Sequence, residues 1–280
     1  MDLAFEQRII ANFGEVGEQW LARLPTTIEW CNNEWGLVME EVMERLSYNY
    51  IIYVIKNDKP YVLKLGVPGN DISLEMLATE LYGSQNFVRL LAKNNQHGAQ
   101  LLERIQPGCM LSTMDEERAI EIFCSTWQAL RAPADERFPH IYQWFSTLHT
   151  HEGPILKGDL ELAAHFAQEI MQDGNNELLH GDLHHYNILY DNKRGWCGID
   201  PKGINGDKYF DCIPFILNEC QNEKVLSNRI EQITQKLSLN RNRLIKAAIA
   251  LTTVRSCWAT EDEEDWYGTF EKVVWLKKLL

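Results

Sequence analysis

The chain has 280 residues, 45% apolar and 24% charged, enough for one large domain or two lobes with cores of their own. A formal charge of -13 argues against nucleic acid, whose phosphates need a basic footprint, and favours a cationic small molecule as partner. Seven scattered cysteines with no C-x-x-C pair argue against a zinc ribbon or disulfide framework and point to a reducing cytoplasm. The first residues, MDLAFEQRII, do not read as a signal peptide, and no apolar run reaches the ~18 residues of a membrane span, so no membrane partner is expected.

Residues 3–24 read as a helix, with Phe5, Ile9, Phe13, Val16 and Leu21 at roughly helical spacing and Pro25 just past its end. Residues 50–55 are β-branched and aromatic, Asn57, Asp58 and Lys59 turn, and residues 61–65 return as a second strand. A helix is expected over 72–84, carrying Leu74, Leu77, Ala78 and Leu81, then strands at 88–91 and 99–105. Gln106, Pro107 and Gly108 form a turn where the lobe boundary is placed. Beyond it the texture becomes helical, at 116–130, 138–149, 159–172, 227–236, 241–258 and 266–279. Short β-like runs at 187–190 and 196–199 interrupt it. The outline is a small β-rich lobe over residues 1–105 followed by a mainly helical lobe over 106–280.

That interruption lies in residues 178–203, LLHGDLHHYNILYDNKRGWCGIDPKG, which crowd ionisable groups between apolar runs. Transfer of a phosphoryl group from a nucleotide needs a carboxylate beside the attacking hydroxyl, oxygen ligands for magnesium, and a lysine on the phosphates. Asp182 and Asn187 have the five-residue spacing of base and metal ligand in kinases, and a hairpin would return Asp200 beside Asn187. Lys64 lies in the strand 61–65 with Leu63 and Leu65 on the opposite face, and Glu75 or Glu80 on the next helix is its expected partner. Glu75 is favoured because it opens the apolar stripe. Residues 46–50 occupy the place of a phosphate-covering loop without a G-x-G-x-x-G, so Ser47 and Asn49 would supply its donors.

Blander assignments exist for each. A lone strand lysine is usually solvated, and Asp and Asn in loops usually form turns. His180 would brace the loop, His184 and His185 would touch substrate or pack, and Cys197 would be a small strand residue. His180, Asp182, His184 and Asp200 also suggest a metal hydrolase, but that leaves Lys64 and Asn187 without a role.

The segment HGDLHHYNIL at 180–189 followed by IDPKG at 199–203 resembles the aminoglycoside phosphotransferases. The DPKG resembles in particular the aminoglycoside/hydroxyurea antibiotic resistance kinases, which include streptomycin phosphotransferases. VLKLGVPG at 62–69, LLERIQPG at 101–108, GDKYFD at 206–211 and CWA at 257–259 agree, so the likeness spans most of the chain. It implies an α+β, protein-kinase-like, two-lobed fold with ATP at the hinge. It implies Asp182 as catalytic base, Asn187 and Asp200 as Mg2+ ligands, and Lys64 on the α and β phosphates. Residues 103–105, Glu103 to Ile105, would be the hinge pairing with adenine, and Asp211 would brace the catalytic loop unless it simply caps a helix. Lys202 would contact phosphate or be structural. The loop at 47–49 departs from the glycines commoner in relatives, which leaves ATP and GTP both open. The expected reaction is transfer of the γ-phosphoryl group to a hydroxyl of a streptomycin-like aminoglycoside or of hydroxyurea. The alternatives are a kinase of a cellular metabolite and a nucleotide-binding pseudokinase. The acidic run of Glu261, Asp262, Glu263, Glu264 and Asp265 would bind a guanidinium-bearing sugar or form a solvated loop.

Overall fold

The computed structural model describes residues 3–44, 46–83, 86–262 and 264–280. The chain gathers into two compact units, Met1–Gly108 with Asp191–Arg194, and Cys109–Tyr190 with Gly195–Leu280.

The first unit begins with α1 (Leu3–Trp35), which runs well past the expected end at residue 24. Its interruption is at Gly14 (φ 53°, ψ -136°), where glycine tolerates the left-handed backbone, and not at Pro25, which lies inside the second segment. Pro25 is exposed, so the carbonyl it cannot bond can be hydrated. Phe5, Ile9, Trp20 and Leu24 pack from α1 into the core formed by Ile52, Val54, Leu63, Leu65 and Leu101. Each such side chain contributes about 1.5–3 kcal/mol by leaving water. On the outer side of α1, the Arg8 guanidinium donates to the carbonyls of Leu46 (2.8 Å) and Ser47 (3.3 Å).

The strands β1 (Val38–Val42), β2 (Tyr50–Lys56), β3 (Lys59–Leu65), β4 (Leu90–Asn94) and β5 (Ala99–Glu103) form an antiparallel sheet in the order β1-β2-β3-β5-β4. The β2–β3 turn places Asn57 (φ 48°) and Asp58 (φ 58°) both left-handed, the geometry that follows strand twist in a two-residue hairpin. Strand β1 was not expected: an edge strand, it is largely exposed and lacks apolar alternation. Helix α2 (Asn70–Tyr82) begins two residues before the expected start, and Ser84, its expected end, lies outside the described residues. The strand expected at 88–91 is shifted to β4, and Ile105 falls beyond the end of β5. A further strand, β6 (Pro107–Met110), stands where only a turn was expected.

The second unit is mainly helical. Asp115 caps α3 (Glu116–Ala129) by accepting from Arg118 N at 2.9 Å. After β7 (Ala132–Pro133), the helix expected over 138–149 is instead a 3-10 segment, Ile141–Ser146, leading into the short α4 (Thr147–Thr150). Aromatic contacts of Phe145 with Phe210 (5.1 Å) and Trp144 with Trp258 (5.5 Å) hold it, so packing prevails over periodicity. Then come α5 (Lys157–Asp173), β8 (Glu177–Leu179), β9 (Ile188–Asp191), β10 (Gly195–Gly198) and β11 (Ile204–Gly206). Strands β7, β8 and β11 form a small antiparallel sheet in the order β11-β8-β7. A 3-10 turn (Phe210–Cys212), α6 (Ile213–Leu217), α7 (Glu223–Leu237), α8 (Arg241–Glu261) and α9 (Trp266–Lys277) complete the unit. Helix α8 is buried on nearly every side from Leu244 to Ala259, as expected for a helix apolar all round.

All seven cysteines are free, six of them buried and Cys109 exposed. Among the described residues no helix is long and apolar enough to cross a membrane.

Candidate active site

Lys64 on β3 is 2% exposed, between Leu63 and Leu65 that point into the core, so it is not a solvated face residue. Its ammonium meets Glu75 Oε1 on α2 at 2.5 Å. Gln100 lies opposite Lys64 in the β3–β5 register and donates Nε2 to the same Oε1 at 2.7 Å. Glu80, five residues on and therefore on another face of α2, pairs with Lys93 at 2.6 Å instead. Gln100 was missed because only the strand register reveals it.

Ser47 and Asn49 lie between β1 and β2. Arg8 holds the Ser47 carbonyl, and Asn49 leans over the end of β3, its Oδ1 so close to Gly66 that a Cβ there would sit 2.6 Å away. Glu103 ends β5, and its Oε1 accepts from Arg89 N (2.8 Å) and Arg194 Nη2 (2.6 Å). Ile105, two residues on, is 7% exposed.

The second unit carries the loop from His180 to Asn187. Gly181 (φ 80°) turns it, and a Cβ there would meet Lys202 Cβ at 3.0 Å. Asp211, from the 3-10 turn before α6, accepts from Gly181 N (2.7 Å) and His180 N (3.3 Å). It braces this loop and does not act as a plain helix cap. Lys202 N donates to the His180 carbonyl at 2.7 Å. The His180 ring ties its own loop to the residue after β10: Nδ1 accepts from Asp182 N (3.3 Å), which leaves Nε2–H to donate to the Ile199 carbonyl (2.8 Å). Burial pushes its pKa down to about 4, so the ring is neutral.

Asp182 stands at the centre. Burial raises its pKa, but the His184 hydrogen bond and the charges of His184, Lys202 and Arg255 outweigh it and hold the carboxyl below its ordinary value. His184 Nε2 lies 3.6 Å from Asp182 Oδ2. Asn187 donates Nδ2 to the Asp182 carbonyl at 2.9 Å, which turns its Oδ1 away from that carbonyl. Ile199 N donates to the Asn187 carbonyl at 2.9 Å across the mouth of the β9–β10 hairpin, so Asp200 follows directly beside Asn187. Asp200 itself is left-handed (φ 58°). The structure therefore brings Asp182, Asn187 and Asp200 together, and separately Lys64 and Glu75.

The remaining candidates have structural partners. His185 stacks on Phe215 at 4.3 Å with Nε2 3.5 Å from Arg229, and burial pushes its pKa down to about 4. Cys197 is fully buried in β10. Arg229, also missed from sequence, is 1% exposed; it forks onto Glu116 (2.6 and 2.9 Å) and reaches the carbonyls of Phe215, Ile216 and Asn218. Of the acidic run, Glu261 approaches His151 (3.9 Å), Asp265 caps α9 through Gly268 N (3.0 Å), and Glu263 lies outside the described residues. Among the described residues no group of three or more His, Cys, Asp or Glu is placed to hold a metal, so the hydrolase ligand set is not assembled.

The family model described as aminoglycoside/hydroxyurea antibiotic resistance kinase matches residues 36–263. The streptomycin 6-kinase of Streptomyces griseus is 23% identical over 267 residues, covering 89% of this chain and 87% of that protein. The hydroxyurea phosphotransferase of Kitasatospora aureofaciens is 26% identical over 267 residues, covering 90% and 77%. Among solved structures, the choline kinase LicA of Streptococcus pneumoniae superposes with a TM-score of 0.67 at 14% identity, covering 91% of this chain and 98% of that one. The fold is thus protein-kinase-like.

Proposed function

Because the chain belongs to the aminoglycoside/hydroxyurea antibiotic resistance kinases, we propose that it transfers the γ-phosphoryl group of ATP to a hydroxyl of a small antibiotic, an aminoglycoside of streptomycin type or hydroxyurea. The observation that carries this is the side-by-side placement of Asn187 and Asp200 next to Asp182. Dependence on ATP fits a cytoplasmic enzyme.

The donor set suits magnesium: the Asn187 amide oxygen and the Asp200 carboxylate are both hard oxygen ligands. Those two residues would hold the ion, which supplies neutralisation of phosphate charge. Lys64, fixed by Glu75, is assigned to the α and β phosphates. Residues 103–105, with Glu103 and Ile105, are assigned to adenine, and Ser47 and Asn49 to the loop over the phosphates.

Asp182 does the chemistry of the acceptor. Held below the ordinary carboxyl range, it is ionised at neutral pH and accepts a hydrogen bond from the acceptor hydroxyl. The bond from that oxygen to γ-phosphorus forms as the bond to the bridging oxygen breaks, and ADP leaves with the electron pair. The hydroxyl proton passes to Asp182. So weak a base takes the proton late, and its main contribution is orientation.

The test is incubation with ATP, magnesium and either streptomycin or hydroxyurea, read by mass spectrometry for the gain of one phosphate. Asp182→Asn is expected to lower turnover ~10²–10⁴-fold with nucleotide affinity little changed. Near-wild-type transfer by that variant rejects the base; nucleotide binding without transfer to any acceptor makes the protein a pseudokinase.

A further inference from the structure

The run from Pro201 to Asp207 is buried at every position but one, Lys202, which is exposed. Its backbone is held on both sides. Lys202 N donates to the His180 carbonyl at 2.7 Å, and two residues on Ile204 pairs with Leu179 in the β8–β11 ladder. Its stem lies against the turn at Gly181, where a Cβ would stand 3.0 Å from Lys202 Cβ and 3.6 Å from Cγ. The missing side chain of Gly181 is what lets the two segments come so close.

An exposed lysine is ordinarily a solvated one. Lys202 differs in what surrounds it. Carboxylates outnumber lysines and arginines in this chain 40 to 27. Even so, among the described residues its ammonium makes no ion pair and no hydrogen bond, and the carboxylate that feels its charge is Asp182. Two residues before it stands Asp200, assigned to magnesium. In-line transfer puts the phosphoryl group between the acceptor oxygen at Asp182 and the nucleotide oxygens on the metal. Asp182 repels that group unless a cation stands by, and an ammonium serves as a compact point charge that needs no bidentate geometry. Lys64 is assigned to the α and β phosphates, which leaves the γ-phosphate without a cation from the protein.

We propose that the Lys202 ammonium contacts the γ-phosphate of the bound nucleotide and supplies the protein's positive charge on the group that is transferred. The inference rests on the kinase reading of Asp182 and Asp200, and not on which antibiotic is modified.

Binding of the magnesium complexes of ADP and of the non-hydrolysable analogue AMP-PNP to the full chain, by isothermal titration calorimetry, tests it without turnover. Lys202→Gln removes the charge and should weaken AMP-PNP roughly tenfold relative to ADP, the usual size for one charge-assisted hydrogen bond, with ADP changed less than about twofold. Lys202→Arg should keep most of the preference. Each variant is checked for a wild-type thermal melt; should Lys202→Gln fail to fold, Lys202→Met, which keeps the apolar stem beside Gly181, decides in its place. An unchanged ratio, or equal weakening of both nucleotides, overturns the proposal and leaves Lys202 structural. If streptomycin or hydroxyurea gains phosphate while the ratio is unchanged, the lysine contact falls and the kinase stands. If the ratio falls as expected and no acceptor gains phosphate, the contact stands in a pseudokinase. If the wild type binds neither nucleotide, both fall.

Discussion

One carboxylate, that of Asp211, holds two consecutive backbone amides: Oδ1 accepts from Gly181 at 2.7 Å and Oδ2 from His180 at 3.3 Å. Asp211→Asn keeps the shape but turns an amide NH2 toward one of those N–H donors. The lost bond and the unsatisfied buried groups should lower stability by about 1–3 kcal/mol, with a fall in turnover as the loop before Asp182 loosens. Urea denaturation and steady-state kinetics check this; a variant with wild-type turnover would show that the loop does not depend on the brace.

The buried titratable groups set a direction for pH. The pKa values of His180 and His185 fall from 6.5 to about 4 on folding, so between those limits the unfolded chain binds more protons and stability is lost as pH falls. Asp211 is raised by burial from 3.8 to about 6, so over that range the folded chain binds more protons and stability is gained as pH falls. Two groups oppose one, and the net expectation is weakening between pH 6.5 and about 4. Asp211→Asn removes the opposing group, so its urea midpoint should fall more steeply with acid than that of the wild type.

Lys64 and Glu75 form a buried pair, with side chains 2% and 14% exposed. Glu75→Gln removes the carboxylate from an ammonium that stays buried, which should destabilise by about 3–5 kcal/mol and weaken nucleotide binding. Glu80→Gln breaks only the exposed pair with Lys93 and should change stability by less than about 1 kcal/mol. Urea melts and nucleotide titrations on both variants compare them; equal effects would mean that Glu75 has no special hold on Lys64.

Arg229 ties α3 to the turn after α6 through Glu116 and the carbonyls of Phe215, Ile216 and Asn218. A lysine carries charge but not the planar fork, so Arg229→Lys should lose on the order of 3 kcal/mol. Arg229 also lies 3.5 Å from His185, in the loop between Asp182 and Asn187, so the variant should also lower kcat for phosphoryl transfer. An unchanged kcat would count against Arg229 steadying that loop.

What could be seen in the sequence was local. Asp182, Asn187 and Asp200 stand in one short stretch whose turns and apolar runs suggest a hairpin, and the β2–β3 alternation puts Lys64 on the face opposite Leu63 and Leu65. What could not be seen depends on elements distant in the chain. Gln100 reaches Glu75 through strand register, and Arg229 reaches Glu116 only because α7 packs against α3. Pro25 suggested a helix end, whereas an exposed proline inside a packed helix leaves a carbonyl that water can satisfy.

The bond from Ile199 N to the Asn187 carbonyl joins residues 12 apart, whereas the Asp211 brace on Gly181 spans 30 and the Arg229–Glu116 pair spans 113. Closing a chain segment loses entropy as the logarithm of its length, so the first closure is favoured over the second by about 0.8 kcal/mol and over the third by about 2 kcal/mol. During refolding Asn187 and Asp200, the proposed oxygen ligands, should therefore find each other as an early, self-contained event, before the distant braces lock. In a pulsed hydrogen-exchange experiment the Ile199 amide would become protected ahead of that of Gly181.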